Sequence, residues 1–499
     1  MTKKDNRIKY NLLSGIVYQV VLIVISFVLP RLYLENFGSE VNGVLSTIKQ
    51  IFVYMFLLES GVGLATTQAL YKPVAEKNHS KVSSIISATH NYYIKIGFIY
   101  LGIVLLIAVV YAYIVPTSIS SGVLFGIIIL TALPALFSYF VQAKYRILLE
   151  VDGRKYIITN SETVLQLLSN VGKILVLLLT NSLLLIQLVY CILYLLQLYF
   201  VFIKAKRRYD WLDVKSKPDF TAISQRKSVL VHQVSGMVFN NTDVLLLSFL
   251  CDFKVVSVYT IYNIFFSQIQ TFITSIISGF SFALGQMFHV DKEKFMKVYN
   301  VYETFYIMST FIIYTLMAVF LLPIIQIYTK GINDANYTNA YLLILFVIMN
   351  LLSNGKLPSN HVLEYSGKFE ETRSHAIWEM VINITVSIVA ILLWGICGAI
   401  IGTIVALIYR GAMMIYYSNK KVLERSAFST YKLWIVNGVV FAVIMLIFFV
   451  DSFSGLSFIR LVIKGALHSL WIIALYIIVN LIFFKDSFKN LIALRRNKQ

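Results

Sequence analysis

The chain has 499 residues, of which 58% are hydrophobic and only 13% are charged, and its mean hydropathy is +0.77. Soluble domains carry roughly 25% charged residues, so this composition excludes an ordinary soluble enzyme, a disordered chain and a collagen-like repeat. The formal net charge is +19, and three cysteines are too few for a disulfide framework or a zinc site. The class that remains is a polytopic membrane protein.

Long apolar runs separated by short polar breaks predict fourteen transmembrane helices, because about 20 apolar residues cross a bilayer. The predicted spans are residues 11–30, 41–69, 88–115, 121–143, 157–180, 183–203, 229–250, 255–286, 299–328, 338–363, 374–396, 398–418, 433–450 and 461–484. The first run exceeds the roughly 7–15-residue apolar core of a signal peptide, so we expect it to stay as a helix.

The distribution of Lys and Arg predicts the orientation of these spans. With a cytoplasmic N-terminus, the inside segments carry 33 basic residues and the outside segments carry Arg31, Lys254, Lys330 and Arg460. Both termini are therefore predicted to be cytoplasmic, and this bias explains the net charge without nucleic-acid binding. For the tail at 494–498 and the run at 206–208, contact with anionic membrane lipids is the alternative to a topogenic role.

A weak internal repeat pairs the second span with the eighth. The nine-residue strings that begin at Ser60 and at Ser278 share Ser, Gly, Ala and Gln at identical spacing, 218 residues apart. A repeat unit of six spans starts on the same face twice, which predicts two all-α lobes related by a pseudo-twofold axis along the membrane normal. The predicted organisation is a six-helix lobe at 1–205, a basic cytoplasmic linker at 206–228, a second six-helix lobe at 229–420, and an appended helix pair with a cytoplasmic tail at 421–499.

The first part of the chain contains three strings that carry a family resemblance. They are Gly38-Ser39-Glu40-Val41-Asn42-Gly43, Leu58-Glu59-Ser60-Gly61-Val62-Gly63 and Ala69-Leu70-Tyr71-Lys72-Pro73. Residues 10–110 thereby resemble the Wzx-type flippases of O-antigen and capsule repeat units. These belong to the multidrug/oligosaccharidyl-lipid/polysaccharide exporter superfamily, which also contains multidrug and toxin extrusion transporters and the lipid II flippases.

The resemblance implies a V-shaped pair of six-helix lobes around a central cavity in the bacterial cytoplasmic (inner) membrane. It implies translocation of an undecaprenyl-diphosphate-linked oligosaccharide from the inner to the outer leaflet by alternating access, for lipopolysaccharide or capsule biosynthesis. A glycan polymerase and a chain-length regulator are candidate partners. No cofactor is expected, since the phosphate-loop pattern G-x-x-x-x-G-K-[ST] does not occur in the sequence. A proton or a sodium ion is the candidate for coupling.

Charged residues within spans are the candidate substrate site, because each costs about 2.5–3.5 kcal/mol at the centre of a lone span. Lys49 and Lys173 are predicted to face the cavity, and Arg31 is either a cavity cation or a snorkelling anchor. If their helix faces converge, the three cations form one diphosphate site in the outer half of the first lobe. Lys356, Arg410 and Glu364 are interpreted as interfacial.

Polar residues at helical spacing predict further cavity-lining or ion-coupling positions. These candidates are Glu59, Glu162, Gln166, Asn240, Asp243, Asn263 and Gln270, of which the acids Glu59 and Asp243 are the candidate proton or sodium sites. The alternative is that these groups only tie helices together by buried hydrogen bonds, and this is the favoured interpretation for the neutral groups of the seventh and eighth spans. Tyrosine pairs such as Tyr92-Tyr93 are interpreted as interfacial belt residues.

Two other functions compete with the flippase. An ion-coupled drug/cation antiporter of the same superfamily would favour acids over bases in the cavity. A membrane glycosyltransferase or glycan polymerase would need a catalytic constellation, and such polymerases typically carry a large outside loop. The seven histidines show no metal-ligand spacing, and the pair Glu370-Glu371 is interpreted as solvated, so no catalytic residue and no metal site is predicted.

Overall fold

The computed structural model describes residues 3–223, 226–367, 369–450 and 458–496. These residues form α-helices, two π-helical turns at 138–142 and 418–422, and no strand. The helices are α1 Lys3–Met55, α2 Leu57–Ala75, α3 His79–Ile114, α4 Ser121–Phe137, α5 Ala143–Val151, α6 Lys155–Leu179, α7 Leu183–Arg208, α8 Arg226–Leu250, α9 Phe253–Val290, α10 Lys292–Tyr328, α11 Ala340–Gly355, α12 Leu357–Tyr365, α13 Phe369–Trp394, α14 Ile396–Tyr417, α15 Phe428–Val450, α16 Phe458–Phe483 and α17 Lys485–Arg496.

Each of the fourteen predicted spans coincides with one or two of these helices to within a few residues at its ends, and the prediction of an all-α polytopic membrane protein is confirmed. Eleven helical stretches in the described part of the chain are long and apolar enough to cross a membrane. The first of them, Val17–Glu59, contains most of the first predicted span and most of the second. Helices α8 and α9 cover the seventh and eighth predicted spans.

The first two spans are separated by a sharp turn at Gly38 inside α1. A straight helix of the 53 residues of α1 would be about 80 Å long, far more than the ~30 Å hydrocarbon core. Gly38 has φ 78° and ψ −179°, which a residue without a Cβ atom adopts readily. α1 is therefore two helices joined at this glycine, at the break predicted between the spans.

The chain divides into two compact units, Met1–Asn241 and Thr242–Gln499. The boundary lies inside α8, whereas the sequence predicts a boundary at the linker 206–228 and a second lobe that starts at residue 229. The difference arises because the part of α8 before Thr242 belongs to the first unit. Tyr54 Oη of α1 donates a 3.4 Å hydrogen bond to the carbonyl oxygen of Val238.

The predicted appended pair, α15 and α16, belongs to the second unit and packs on α10. The hydroxyls of Thr315 on α10 and Tyr476 on α16 are 2.7 Å apart. Asn437 on α15 and Asn480 on α16 exchange amide hydrogen bonds of 2.8 and 3.3 Å. Buried polar pairs of this kind hold spanning helices in register, so the pair is an integral part of the second unit.

Arg425, in the segment between α14 and α15, forms a buried ion pair with Glu303 of α10. Glu303 of α10 is 2% exposed, and its Oε2 lies 2.5 Å from Nη2 of Arg425. Thr430 Oγ1 donates a 2.7 Å hydrogen bond to the other carboxylate oxygen of Glu303. A buried carboxylate needs such partners because an unpaired one is costly in a dry interior.

Candidate functional site

Charged side chains from three helices of the first unit meet around Arg146. Arg146 of α5 forms an ion pair with Glu162 of α6, with 2.8 Å between Nη2 and Oε1. The charge of Arg146 also acts on Glu59 of α2. The structure thus joins two predicted cavity acids, Glu59 and Glu162, through a cation that the sequence-based prediction did not include.

Arg146 was missed because it follows the predicted span 121–143, in a segment counted as a basic inside loop. The structure continues this helix through the π-turn at 138–142 into α5. A π-turn inserts an extra residue into the helical ladder and changes which side chains face a neighbour. Tyr139, within this turn, hydrogen-bonds Glu59, so the turn contributes directly to the cluster.

Tyrosine side chains surround these charges. Tyr93 of α3 is 1% exposed and donates a 3.4 Å hydrogen bond to Glu59, so the interpretation as an interfacial belt residue is wrong for Tyr93. Tyr194 of α7 interacts electrostatically with Arg146 and Glu162, as does Tyr18 of α1. The ring of Tyr194 also packs edge-on against Tyr190, at 5.6 Å between centroids.

Lys173 and Lys49 are two cations near these tyrosines. The ammonium nitrogen of Lys173 on α6 lies 4.5 Å from the centroid of the Tyr190 ring, a cation–π contact. Lys49 on α1 is close enough for its charge to act on Lys173. In the described part of the chain neither lysine forms an ion pair, so these two like charges act on each other without a counter-charge.

Arg31 and Gln166 occupy other places around the first unit. Arg31 forms an ion pair with Glu35, one turn further along α1, at 2.6 Å. Its charge is therefore compensated locally, unlike the charges of Lys49 and Lys173. Gln166 is partly buried on α6, one turn after Glu162.

A buried carboxylate of the second unit, that of Asp243, has hydroxyl partners and no ion pair in the described chain. Asp243 of α8 is 7% exposed and accepts a 2.9 Å hydrogen bond from Tyr259 Oη of α9. Thr403 Oγ1 of α14 lies 3.2 and 3.3 Å from its two oxygens, and Asn383 Nδ2 of α13 donates to Thr403 Oγ1 at 2.9 Å. The Oδ1 atom of Asn383 is buried and accepts no hydrogen bond. Three oxygen-bearing side chains thus surround one carboxylate.

Two glycines allow α13 and α14 to approach closely enough to form this group. A Cβ atom at Gly398 would lie 2.1 Å from the carbonyl oxygen of Ala390. One at Gly402 would lie 2.1 Å from Ser387 Oγ. Glycines four residues apart are a recurrent device for close packing of spanning helices. Here they bring Thr403 against Asn383.

A second buried charge cluster contains residues that were predicted to be interfacial. Lys356 Nζ lies 2.7 Å from Glu379 Oε1, and Arg410 Nε lies 3.3 Å from Glu379 Oε2. The three side chains are only 16%, 10% and 10% exposed for Lys356, Glu379 and Arg410. The interfacial interpretation is therefore wrong for Lys356 and Arg410, because α11–α12, α13 and α14 bring both cations onto one carboxylate.

The remaining predicted residues are not part of either cluster. Glu364 is exposed and accepts a 2.6 Å hydrogen bond from Asn360. Asn263 is exposed and Gln270 partly buried, two turns apart on α9. The side chain of Asn240 lies outside the described residues. The cavity role of Asn240, Asn263 and Gln270 stays a prediction.

No family model and no curated protein sequence matches the chain. Solved structures do match it. It is similar to the lipid II flippase MurJ in an inward closed conformation, with a TM-score of 0.69 and 16% identity over 96% of this chain and 100% of that one. It is also similar to an inward-facing MATE-family multidrug resistance transporter, with a TM-score of 0.64 and 12% identity over 81% and 94%.

A third similar structure is a MOP-superfamily transporter from Pyrococcus furiosus, described by a reverse polarity of its binding pocket that suggests a different function. Its TM-score is 0.52, with 11% identity over 85% of this chain and 98% of that one. At these identities the likeness concerns the fold alone. The chain has the fold of the MOP superfamily and of its multi-pass membrane transporters, and the Wzx-type subfamily stays a prediction.

Proposed function

We propose that this protein is a flippase that moves an undecaprenyl-diphosphate-linked oligosaccharide from the inner to the outer leaflet of the bacterial cytoplasmic membrane by alternating access. The observation that supports this most strongly is the pair Lys49 and Lys173, two cations within electrostatic range of each other that have no counter-charge in the described chain. The superfamily fold and the resemblance of residues 10–110 to Wzx-type flippases support the same proposal.

Two unpaired lysines in one place need a reason, because each is costly inside a membrane protein. A bound diphosphate carries about two negative charges and would neutralise both ammonium groups. The two ammonium groups would in turn offset the cost of removing the diphosphate from water. The tyrosines near Lys173, Tyr190 and Tyr194, offer hydroxyl groups and ring faces, which suit the polar and apolar surfaces of a glycan. In this proposal the two lysines bind the diphosphate and the tyrosines contact the sugar.

The charge balance argues against the drug/cation antiporter. The first-unit cluster contains Lys49, Lys173 and Arg146 against Glu59 and Glu162, so one net positive charge remains. A cationic drug would be repelled by this site, whereas an anionic lipid would be attracted. The glycosyltransferase or polymerase has no comparable support from the described side chains.

We infer that Asp243 holds the coupling cation. It is a buried carboxylate that no lysine or arginine of the described chain pairs with, and Asn383 Oδ1 beside it lacks a donor. Oxygen ligands of this kind suit a hard monovalent cation such as Na⁺, which would neutralise the carboxylate and satisfy the amide oxygen. Protonation of Asp243 would neutralise the carboxylate but leave Asn383 Oδ1 unsatisfied.

The coupling proposal is tested by thermal unfolding of the purified protein in Na⁺ and in K⁺. We expect Na⁺ to raise the melting temperature of the wild type but not that of Asp243→Asn. A matched control is Asp252→Asn, which removes an exposed carboxylate, keeps an oxygen acceptor for the N-terminal cap of α9, and leaves the Asp243 group intact. Equal Na⁺ and K⁺ curves for the wild type would contradict sodium coupling.

The substrate proposal is tested by complementation of a flippase deletion together with binding of a purified diphosphate-linked lipid. Lys49→Ala and Lys173→Ala should each abolish surface glycan and weaken lipid binding, with normal membrane abundance by immunoblot. Lys254→Ala is the control, since this exposed lysine begins α9 in the second unit. Full complementation by the double variant would overturn the proposal and favour helix tethering.

The proposed orientation places both termini and the linker in the cytoplasm. Single cysteines at Lys217 and Asn336, both exposed, would be introduced into a chain that lacks Cys191, Cys251 and Cys397. An impermeant maleimide applied to intact cells should label position 336 and not position 217. The reverse pattern would overturn the orientation.

A further inference from the structure

The predicted linker, between α7 and α8, folds back onto α3 within the first unit and covers a cavity there. The hydroxyl of Ser87 on α3 donates a 2.7 Å hydrogen bond to the carbonyl oxygen of Ser216. The amide of Asp219 donates 3.1 Å to the carbonyl oxygen of Ser84, also on α3. Trp211 stacks on His79, with ring centroids 3.9 Å apart. The linker is thus fixed at several points along the start of α3.

The cavity under this linker has a volume of about 380 Å³, far more than the roughly 30 Å³ that one water molecule occupies. It is lined by α3, by the start of α5 and by linker residues, with Asn91, Lys144, Lys215 and Ser216 among its polar groups. No acidic residue of the described chain lines it. The cavity is large enough for a ligand of the size of a diphosphate and is lined by donors.

Lys144 is the central cation of the cavity. Its residue is 9% exposed, and its ammonium nitrogen lies 3.1 Å from Nδ1 and 3.5 Å from Nε2 of His90. Its other contact is the ring of Tyr145, with 5.7 Å to the centroid. In the described chain no carboxylate lies within ion-pair distance of it. A buried ammonium of this kind lacks the counter-charge that normally accompanies burial.

Two acids of this part of the fold, Asp219 and Asp152, are engaged elsewhere. Asp219 accepts from Lys81 at 2.6 Å, and this ion pair, with a hydrogen bond from Thr221, holds the pKa of Asp219 well below its usual range. Asp152 is held by Arg154 and by the hydroxyl of Tyr209. In contrast, the buried hydroxyl of Ser216 has no hydrogen-bond partner. The cavity therefore keeps free donor capacity beside an uncompensated cation.

We propose that this cavity binds a phosphate-bearing anion through Lys144, Lys215, Ser216 and Asn91. Lys144 supplies the buried charge and Lys215 supplies a second, exposed charge from the linker. Lysines and hydroxyls at one cavity are an ordinary arrangement for phosphate oxygens, which accept several charge-assisted hydrogen bonds. Because the linker provides one side of the site, a bound anion ties the linker to the first unit.

One further property of Lys144 agrees with this assignment. Lys144 lies beyond the predicted span 121–143, and burial lowers the pKa of its ammonium to about 8. A bound anion would favour the charged form and restore the usual protonation. The site is separate from Lys49 and Lys173, so the proposal stands whether or not the flippase proposal does.

The test uses the full chain purified in uncharged detergent, with Lys49→Ala and Lys173→Ala already present so that neither lysine contributes. Inorganic pyrophosphate is titrated by calorimetry. Adding Lys144→Met should weaken the Kd about tenfold or more, the effect of losing one charge-assisted hydrogen bond. Lys215→Met should weaken it less, and it covers the case in which Lys144→Met does not fold. Lys217→Met, an exposed linker lysine outside the cavity, should leave it unchanged.

A second arm identifies the source of the phosphate. The same chain is purified from membranes that contain phosphatidylglycerol, and retained lipid is counted by native mass spectrometry. Retention that Lys144→Met abolishes and pyrophosphate displaces assigns the site to a lipid headgroup. Pyrophosphate binding without retained lipid assigns it to a soluble phosphate compound. Absence of both, or affinities that Lys144→Met and Lys215→Met leave unchanged, overturns the proposal.

Discussion

Arg146 and Glu162 lie on consecutive helices, and their ion pair of 2.8 Å spans the contact between α5 and α6. The pair compensates the charge of Glu162, the acid of α6. Glu162 stands eleven residues before Lys173, about 16 Å along the helix axis, so it does not reach that lysine. Because Arg146 neutralises Glu162, this acid does not reduce the net positive charge of the first-unit cluster.

The first prediction concerns this ion pair. Arg146→Ala should release Glu162, and the freed carboxylate should weaken binding of an anionic lipid as well as lower the melting temperature. Arg146→Ala combined with Glu162→Gln should recover much of both losses, because no unpaired acid remains. The measurements are the melting temperature and the amount of surface glycan, compared between the single and the double variant. If the second substitution restores neither, Arg146 acts by another route than compensation of Glu162.

The second prediction concerns the packing of α13 on α14. Gly402→Ala would place Cβ 2.1 Å from Ser387 Oγ and 2.5 Å from the Ser387 backbone nitrogen. Such overpacking typically costs about 1–3 kcal/mol, and the forced separation should move Thr403 away from Asn383. Gly411→Ala on the same helix is the control, since a Cβ there meets nothing within 4 Å.

Thermal unfolding with and without Na⁺ measures both consequences of Gly402→Ala. We expect a lower melting temperature and a smaller Na⁺ effect, whereas Gly411→Ala should match the wild type or exceed it, because Ala favours helix over Gly. Identical behaviour of the two alanine variants would show that the close approach at Gly402 does not position the Asp243 group.

The third prediction concerns the cluster of Lys356, Glu379 and Arg410. Glu379→Gln leaves two cations in a poorly hydrated place without a carboxylate, and removal of one partner of a buried ion pair costs about 3–5 kcal/mol. Glu364→Gln is the matched control, because Glu364 is exposed and its partner is the neutral Asn360. Expression level and melting temperature of the two variants should differ clearly; equal values would contradict burial of the cluster.

The helices could be predicted from the sequence because apolar runs of spanning length have few alternatives in a membrane. Lys49 and Lys173 could be selected as candidates because a cation within a long apolar run is rare. Arg146 and Glu379 show why the rest could not be predicted. Arg146 follows a span whose helix continues through a π-turn, and the partners of Glu379 lie on other helices. The course of the helix after residue 137 and the contacts of Glu379 both depend on tertiary packing, which hydropathy along the sequence does not show.

The fourth prediction concerns the pH dependence of anion binding under the linker. With its pKa lowered to about 8, Lys144 is mostly charged at pH 7 and mostly neutral at pH 9. Sulfate keeps its own charge across this range, so its affinity should fall about tenfold between the two values. The other titratable groups that face the cavity are His90 and Lys215. Lys144→Met retains both, and a pH dependence that persists in this variant would not belong to Lys144.

The ion pair of Glu303 with Arg425 has a consequence for any attempt to trim the chain. Arg425 stands just beyond the twelve helices of the two predicted lobes, so a chain cut at residue 420 would lose it together with Thr430. Glu303 would then be left in the interior of α10 as an orphan acid. A twelve-helix version of this chain would need a neutral residue at position 303, because the ion pair joins α10 to the C-terminal extension.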